Sequence, residues 1–174
     1  MRTVAIVPAA GRGERMGADK ALLELGGTTA IERVVATCHA AGIDDVLVVR
    51  RDGAAALPAQ LAATTIVVPN GGEMADSLRA AGEQLPDDTA AVVVFPVDHA
   101  LVEAETVLAL LATLAQPDCA IALPLFRGRP GHPAAFAVEA FAEIEAPGTV
   151  LRDLVRRDPA RVRVVASANP WVHA

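Results

Sequence analysis

Basic side chains interleaved with glycines lie near the start of this chain. An apolar run at residues 4–7 ends in small residues, and the loop that follows contains Ala9, Ala10, Gly11, Gly13, Arg15 and Lys20. Glycines allow backbone N–H groups to approach a polyphosphate, and the charges of arginine and lysine can neutralise it. A buried parallel strand would bring such a loop to the carboxyl edge of a sheet, where open α/β folds bind ligands. The pattern predicts a nucleotide phosphate site, with an ordinary glycine-rich turn bearing solvated charges as the alternative.

The spacing of this loop does not match two common phosphate-binding motifs. A dinucleotide fingerprint needs a third glycine where this chain has Met16, and a helix that starts inside the motif, whereas no helix is predicted before about Thr28. A P-loop fails because no Gly-Lys-Ser/Thr follows Gly13 at the required distance. An NAD(P)-binding oxidoreductase stays open as an alternative. The ribose-reading residue that it needs near position 37 falls in a predicted helix, which argues against it.

A carboxylate follows the longest apolar run, at residues 91–97. Asp98 comes where this predicted strand ends. Proteins bind Mg²⁺ through one or two carboxylates together with the substrate's phosphates, so the position predicts that Asp98 binds a metal ion. The alternative is that Asp98 caps a helix beginning near Glu103, although it stands five residues too early for that role. For His99, a hydrogen bond to a loop carbonyl is favoured over metal binding.

A second glycine-containing turn, at residues 69–73, follows another apolar run and precedes a predicted helix. Backbone N–H groups and a serine hydroxyl at such a turn could read the edge of a base, and the candidates are Asn70, Gly72 and Ser77. The alternative is that Asp76 or Ser77 only caps the helix.

Residues 126–136 contain two arginines and a tight Gly131-His132-Pro133 turn. These groups offer hydrogen-bond donors to an anionic acceptor such as a phosphate monoester. Arg127 is the better candidate for that contact, and the alternative for His132 is that it braces the loop.

Short apolar runs alternate with helical patterns along the whole chain. Strands are predicted at residues 4–7, 46–49, 65–68, 91–97 and 119–123, and helices at residues 31–41, 74–85, 107–114 and 149–157. Uniformly apolar strands separated by helices are typical of a parallel sheet covered on both faces. The predicted fold is therefore α/β, a three-layer α/β/α sandwich, and residues 1–174 are predicted to form a single domain.

Composition limits the classes of protein that this chain can be. It has 174 residues, 53% of them hydrophobic, and a net charge of −6 without a basic block, which argues against nucleic-acid binding. No apolar run is long enough to span a bilayer and no signal-peptide pattern is present, so no membrane partner is expected. Cys38 and Cys119 lie in apolar patterns without metal-ligand spacing, which predicts reduced cysteines in a cytoplasmic protein.

The opening loop, read as Ala-Ala-Gly-x-Gly-x-Arg-Met-Gly-x-x-Lys, resembles the signature loop of the MobA-like NTP transferases. That family includes molybdenum cofactor cytidylyl- and guanylyltransferases and is related to the methylerythritol phosphate cytidylyltransferases. The resemblance implies a Rossmann-like, mostly parallel sheet of the nucleotide-diphospho-sugar transferase type. It also implies catalytic roles for Arg15, Lys20 and Asp98, and nucleotide binding by the loop residues Ala9, Ala10, Gly11, Gly13, Arg15 and Lys20.

Other segments refine the resemblance. Residues 126–136 resemble the Gly-Arg-x-Gly-His-Pro-x-x-Phe stretch of the molybdenum cofactor cytidylyltransferase branch, which implies acceptor binding by Arg127 and His132. Ala9-Ala10 resembles the cytidylyltransferase form of the loop and favours CTP. Residues 70–77 resemble the base-reading turn of related cytidylyltransferases, although Met74 stands near the place where an arginine is usual.

The implied function is Mg²⁺-dependent transfer of CMP from CTP to a phosphorylated acceptor, with molybdopterin as one candidate, and release of pyrophosphate. Two alternatives share the loop: a cytidylyltransferase for a sugar-alcohol phosphate, and an NTP-binding protein without transfer activity. Members of the family continue, after a segment like Asn169-Pro170-Trp171-Val172, into a stretch whose first Asp is a second metal ligand. This sequence stops just before that stretch, so the segment is expected to be missing or replaced by another ligand.

Overall fold

The computed structural model describes residues 1–11 and 19–173. The strands are β1 (Arg2–Pro8), β2 (Glu24–Leu25), β3 (Thr28–Thr29), β4 (Asp45–Arg51), β5 (Thr64–Val68), β6 (Thr89–Val94), β7 (Ile121–Phe126), β8 (Arg129–Pro130), β9 (Ala134–Ala137) and β10 (Val162–Ala166). The α-helices are α1 (Ala30–Ala40), α2 (Met74–Gly82), α3 (Ala104–Leu114), α4 (Val138–Ala142) and α5 (Leu151–Arg157). Short 3₁₀ helices cover Lys20–Leu22, Val97–His99, Glu143–Glu145, Pro159–Arg161 and Pro170–His173.

The main sheet has the strand order β10-β7-β9-β6-β1-β4-β5, with β8 paired to β7, while β2 and β3 form a separate ribbon. The pairs β6–β1, β1–β4, β4–β5 and β10–β7 are parallel. Strand β9 runs antiparallel to both of its neighbours. The mostly parallel sheet predicted from the sequence is therefore confirmed.

Helices cover both faces of this sheet. Alternate side chains of β1 point to opposite sides, so that Ala5 and Val7 join one apolar core while Val4 and Ile6 join the other. The first core is closed by the apolar sides of α1 and α3, and the second by α2, α4 and α5. This arrangement confirms the three-layer α/β/α sandwich.

Local signals account for the ends of α1. The Thr29 hydroxyl accepts a hydrogen bond from the Glu32 N–H, and the Glu32 carboxylate accepts one from the Thr29 N–H, which is a capping box. Gly42 has a positive φ of 78° just after the helix, as expected for a glycine that ends one. The predicted helix with its apolar positions and terminal glycine is confirmed.

The parallel register aligns the carboxyl ends of the central strands. Pro8 of β1 pairs with Val49 of β4, and Arg51 of β4 pairs with Val68 of β5. On the other side of β1, Ile6 pairs with Val94 of β6. Strand β6 ends at Val94, earlier than the predicted residue 97, because the chain turns at Pro96 into a 3₁₀ helix. The segments that follow β1, β4, β5 and β6 therefore lie along one edge of the sheet.

Strands β9 and β10 are absent from the sequence prediction. Ala134–Ala137 is a short run of small residues, and Val162–Ala166 is a half-exposed edge strand, so neither shows a long apolar run. Cys38 is fully buried in the core, and burial raises the pKa of its thiol to about 12, as expected for a reduced core cysteine. Within the described ranges, no helix combines the length and the apolar character needed to cross a membrane.

Candidate functional site

Two short helices bring Lys20 and Asp98 together at the carboxyl edge of the sheet. Lys20 begins the 3₁₀ helix after the opening loop, and Asp98 is the central residue of the 3₁₀ helix after β6. Lys20 Nζ lies 3.6 Å from Asp98 Oδ2, and both side chains are nearly half exposed. This separation is longer than a normal hydrogen bond, so the ammonium and the carboxylate can both contact a ligand while facing each other. The alternative of Asp98 as a cap does not hold, since α3 begins at Ala104 with Glu103 before it.

A buried arginine that the sequence analysis missed holds the chain next to Lys20. Arg50, at the end of β4, is 4% exposed and pairs with Asp19 through two hydrogen bonds of 3.0 and 2.6 Å. Its guanidinium also donates to the carbonyl oxygens of Ala9 and Ala55. The Arg50 partner holds the pKa of the Asp19 carboxyl below its usual value. The only signal for this contact in the sequence is an arginine at the end of an otherwise apolar strand.

Asp19 connects Arg50 to the 3₁₀ helix that begins at Lys20. Asp19 Oδ1 accepts a hydrogen bond from the Ala21 N–H at 3.1 Å and so caps the 3₁₀ helix at its first residue. The Ala9 N–H donates to the Val49 carbonyl, which places the start of the loop against β4. Both ends of the opening loop are thus held by β4.

Two histidines lie behind Asp98. His99 Nε2 is 3.7 Å from Asp98 Oδ1, and the ring of His132 lies 5.1 Å from the ring of His99. His99 Nδ1 is 3.0 Å from the Trp171 carbonyl oxygen, which confirms the predicted hydrogen bond to a loop carbonyl. Burial lowers the pKa of both imidazoles, and that of His132 falls to about 4. Both rings are therefore neutral at pH 7.

The predicted base-reading turn faces the start of the opening loop. A cavity of about 420 Å³ is lined by Ala10, Gly11, Val68, Pro69, Gly71, Gly72, Asp76 and Ser77. Ser77 is buried in the first turns of α2, whereas Asn70 is exposed in the turn before Gly71. Asp76 Oδ2 accepts a hydrogen bond from the Glu73 N–H at 2.8 Å, so the capping alternative holds for Asp76. Ala10, Gly11, Gly72 and Ser77 are brought together at this cavity.

Three further predicted site residues are Gly13, Arg15 and Arg127. Gly13 and Arg15 fall outside the described residues. Arg127 is exposed in the turn between β7 and β8, with its guanidinium 5.2 Å from the centre of the Phe126 ring. Among the described residues, no hydrogen bond or ion pair joins Arg127 to Lys20 or Asp98.

The Gly131-His132 turn is fitted closely to the end of the described chain. The His132 N–H donates to the Val172 carbonyl at 2.8 Å, and the Gly131 N–H donates to the Pro124 carbonyl at 2.9 Å. A Cβ at position 131 would lie 2.1 Å from the Val172 oxygen, so only glycine fits. His132 Nδ1 is buried and has no hydrogen-bond partner among the described residues. The backbone of His132 braces the loop, as the alternative stated for this residue proposed.

The donor set around Asp98 suits a metal ion that takes most of its ligands from elsewhere. Residues 1–11 and 19–173 contain no group of three or more His, Cys, Asp and Glu side chains that could hold a metal ion. The Asp98 carboxylate is nearly half exposed, and its two oxygens lie 3.6 Å from Lys20 Nζ and 3.7 Å from His99 Nε2, both beyond normal hydrogen-bond distance. A cation bound here would rely on one carboxylate together with water and phosphate oxygens, which is a common arrangement for Mg²⁺.

Comparison with curated proteins finds 2-C-methyl-D-erythritol 4-phosphate cytidylyltransferases among the relatives, and two of them match most of this chain. The protein from Frankia casuarinae is 33% identical over 87% of this chain and 54% of its own length. The one from Streptomyces coelicolor is 31% identical over 99% of this chain and 66% of its own length. The chain thus spans between half and two thirds of the length of these relatives.

Comparison with solved structures supports the fold. The crystal structure of Rv0371c from Mycobacterium tuberculosis H37Rv has a TM-score of 0.85 at 24% identity, covering 96% of this chain and 89% of that one. A manganese complex of the same mycobacterial protein has a TM-score of 0.79 at 22% identity, with the same coverage. The family model for the MobA-like NTP transferase domain matches residues 5–164, from the first strand to the last. This chain therefore belongs to the MobA-like NTP transferase family.

Proposed function

We propose that this protein is a nucleotidyltransferase that moves CMP from CTP to the phosphate of a small phosphorylated acceptor and releases pyrophosphate. The observation that carries the proposal is the Lys20–Asp98 pair, 3.6 Å apart at the carboxyl edge of the sheet. A cation and a carboxylate in this position suit a reaction between two phosphate groups, because such a step needs positioning and charge stabilisation more than covalent catalysis.

Each residue has a separate task in this mechanism. A phosphate oxygen of the acceptor attacks the α-phosphorus of the NTP, and the bond from that phosphorus to the pyrophosphate oxygen breaks. Lys20 stabilises the negative charge on the triphosphate and the leaving pyrophosphate. Arg15, Gly11 and Gly13 are proposed to bind the same phosphates, and Arg50 holds Lys20 in place through Asp19.

Asp98 is proposed to hold a divalent cation, with Mg²⁺ as the expected ion. Such an ion polarises phosphate oxygens and offsets their developing charge when it is bound. The exposed Asp98 carboxylate fits this role, and the manganese complex of Rv0371c supports a divalent ion in a protein of the same fold.

The cavity beside Gly72 and Ser77 is proposed to hold the cytosine and ribose, with Asn70 at its entrance. Its lining joins the start of the opening loop to the turn before α2, which suits a nucleoside whose phosphates extend toward Lys20. The names of the curated relatives also favour CTP.

The same relatives favour a sugar-alcohol phosphate as the acceptor over molybdopterin, which the Gly131-His132-Pro133 motif indicated. Molybdopterin remains the second candidate on the strength of that motif. In both cases His132 and Arg127 are the proposed acceptor contacts, and the position of His132 beside His99 and Asp98 favours His132.

The test is pyrophosphate release from CTP, GTP, ATP and UTP with each acceptor, in Mg²⁺, Mn²⁺ or EDTA. We expect turnover with CTP, a divalent ion and a phosphorylated alcohol, and a loss of at least about 100-fold in kcat/KM for Asp98→Asn. Asp87→Asn is the matched control, because Asp87 is an exposed acid just before the opposite end of β6.

Full Mg²⁺-dependent activity of Asp98→Asn would disprove the metal assignment. Binding of MgCTP without pyrophosphate release from any acceptor would instead support the alternative of a protein that binds NTP without transferring it.

A further inference from the structure

An apolar pocket of about 220 Å³ opens directly beside the Lys20–Asp98 pair. Its walls are formed mainly by Leu23, Leu25, Leu101 and Trp171, while Lys20 and Asp98 stand at its charged side. It shares none of its lining residues with the cavity beside Gly72 and Ser77. The pocket is therefore a second compartment next to the reacting groups.

The walls of this pocket come from segments that the fold already ties to the site. Leu23 directly follows the 3₁₀ helix of Lys20, and Leu101 comes shortly after the 3₁₀ helix of Asp98. The Trp171 N–H donates to Asn169 Oδ1 at 2.9 Å, and its carbonyl oxygen lies 3.0 Å from His99 Nδ1. The backbone of Trp171 is thus held at Asn169 and at His99, the residue next to Asp98.

Large apolar side chains remain exposed around this pocket. Trp171 is 49% exposed and Leu23 is 39% exposed. Apolar surface that stays in contact with water beside a charged pair is typical of a ligand site. Because burial of apolar surface is favourable, this pocket would favour a ligand that covers its walls with an apolar part.

The size of the pocket limits that apolar part. An apolar cavity of about 150 Å³ is sufficient to bind benzene. A pocket of about 220 Å³ therefore accommodates one ring, or a branched hydrocarbon group of similar volume. A polyol chain would gain little from these walls, since its hydroxyl groups would lose water without finding hydrogen-bond partners.

We propose that this pocket binds the apolar carbon group of the acceptor, while the acceptor's phosphate lies against Lys20 and the Asp98 side of the site. The acceptor is then a phosphate monoester whose ring or branched hydrocarbon group adjoins its phosphate. This inference rests on the proposed function for the transfer reaction, but it differs in the acceptor: it replaces the sugar-alcohol phosphate that the curated relatives favour with a phosphate monoester that bears an apolar group.

The chain carries its own reporter for the test. Trp171 is the only tryptophan and the sequence contains no tyrosine, so indole fluorescence reports the surroundings of Trp171, which lines this pocket and an adjoining one that contains Thr37 and Glu105 but not Leu23. The probes are benzyl phosphate, glycerol 3-phosphate, benzyl alcohol and inorganic phosphate. We expect saturable changes with benzyl phosphate and at least about tenfold weaker binding of glycerol 3-phosphate, a difference of about 1.4 kcal/mol.

Matched variants locate the binding. Leu23→Ser should weaken binding of benzyl phosphate about tenfold and leave binding of glycerol 3-phosphate unchanged. Leu108→Ser is the control, because Leu108 is a similarly exposed leucine on α3 that does not line the pocket. Lys20→Met should weaken the binding of benzyl phosphate but leave the binding of benzyl alcohol unchanged.

Equal affinity for benzyl phosphate and glycerol 3-phosphate, or an unchanged response in Leu23→Ser, would overturn the proposal. A change in Trp171 emission on dilution of the free protein would also overturn the proposal, because a second copy of the chain would then cover the pocket. Cytidylyl transfer is assayed in parallel to separate the two proposals. Turnover of a polyol phosphate without benzyl phosphate binding overturns only this inference, whereas benzyl phosphate binding with no turnover of any NTP overturns only the proposed function.

Discussion

Single side chains set the position of Lys20, and the most influential is Arg50. Its guanidinium contacts the start of the opening loop at Ala9, the residue before the Lys20 helix at Asp19, and the loop after β4 at Ala55. A guanidinium has a planar array of donors, and no other side chain can replace three such contacts at once. Arg50 is therefore a positioning residue for the proposed reaction, even though nothing places it against substrate.

Arg50→Lys tests this role. Lysine keeps the charge but loses the paired hydrogen bonds to Asp19, so we expect a loss of about 1–3 kcal/mol in the free energy of unfolding. We also expect kcat to fall more than KM rises, because Lys20 loses alignment with the reacting phosphates. Urea unfolding and steady-state kinetics with CTP measure the two effects.

The neighbouring variant Arg51→Lys is the control, because no hydrogen bond to Asp19 is found for Arg51. If Arg50→Lys lowered stability while kcat and KM both kept their wild-type values, Arg50 would have a structural role only.

At the scale of elements, the C-terminal 3₁₀ helix Pro170–His173 joins three parts of the site. Its Val172 carbonyl accepts a hydrogen bond from the His132 N–H of the Gly131-His132 turn. Its Trp171 carbonyl oxygen lies within hydrogen-bond distance of His99 Nδ1. His173 Nε2 also lies 2.8 Å from the Arg129 carbonyl oxygen, on the strand β8. This short helix therefore links the hairpin of β7 and β8 to the residues beside Asp98.

Gly131→Ala should displace this helix. The added Cβ would lie 2.1 Å from the Val172 oxygen and 2.8 Å from the His173 ring, so backbone has to move. We expect a loss of about 1–3 kcal/mol in the free energy of unfolding, as for other overpacked sites, together with a change in Trp171 fluorescence. Gly11→Ala serves as the stability control, because its Cβ would meet nothing within 4 Å. Equal unfolding midpoints and equal emission for Gly131→Ala and wild type would contradict this account.

At the scale of the whole molecule, burying two neutral histidines beside Asp98 makes stability depend on pH. His132 has a folded pKa of about 4, against an ordinary value of 6.5, and burial also lowers the pKa of His99. At a pH between the folded and the ordinary pKa values of these histidines, the unfolded chain binds more protons than the folded protein does. The free energy of unfolding is therefore fully retained above about pH 6.5 and falls as the pH drops toward 4.

Urea unfolding between pH 4.5 and 8 measures this dependence. For His132 alone the difference between its two pKa values corresponds to about 3 kcal/mol once the pH has crossed both of them. His132→Gln should flatten the profile between pH 4.5 and 6.5 and leave the slope above pH 7 unchanged, which makes the upper range an internal control. A variant profile parallel to that of the wild type below pH 6.5 would show that His132 is not responsible.

Much of the fold could be predicted because its signals are local. The five apolar runs correspond to β1, β4, β5, β6 and β7, and the helical patterns to α1, α2, α3 and α5. The antiparallel strand β9 was missed because Ala134–Ala137 is stabilised by its two neighbours in the sheet, not by its own pattern. The family was also recognised from the opening loop, and the family match over residues 5–164 confirms it.

The order of residues along the chain is enough to show that the candidate groups follow apolar strands, and hence that they gather at one edge of the sheet. Parallel strands connected by helices place their carboxyl ends together, so this conclusion needs only the order of the elements. The tertiary structure alone decided that Lys20 faces Asp98, that Arg50 holds Asp19, and that Trp171 closes an apolar pocket beside them. Those contacts join side chains that are distant along the chain. Their distances depend on strand order and on packing between layers, which no local pattern encodes.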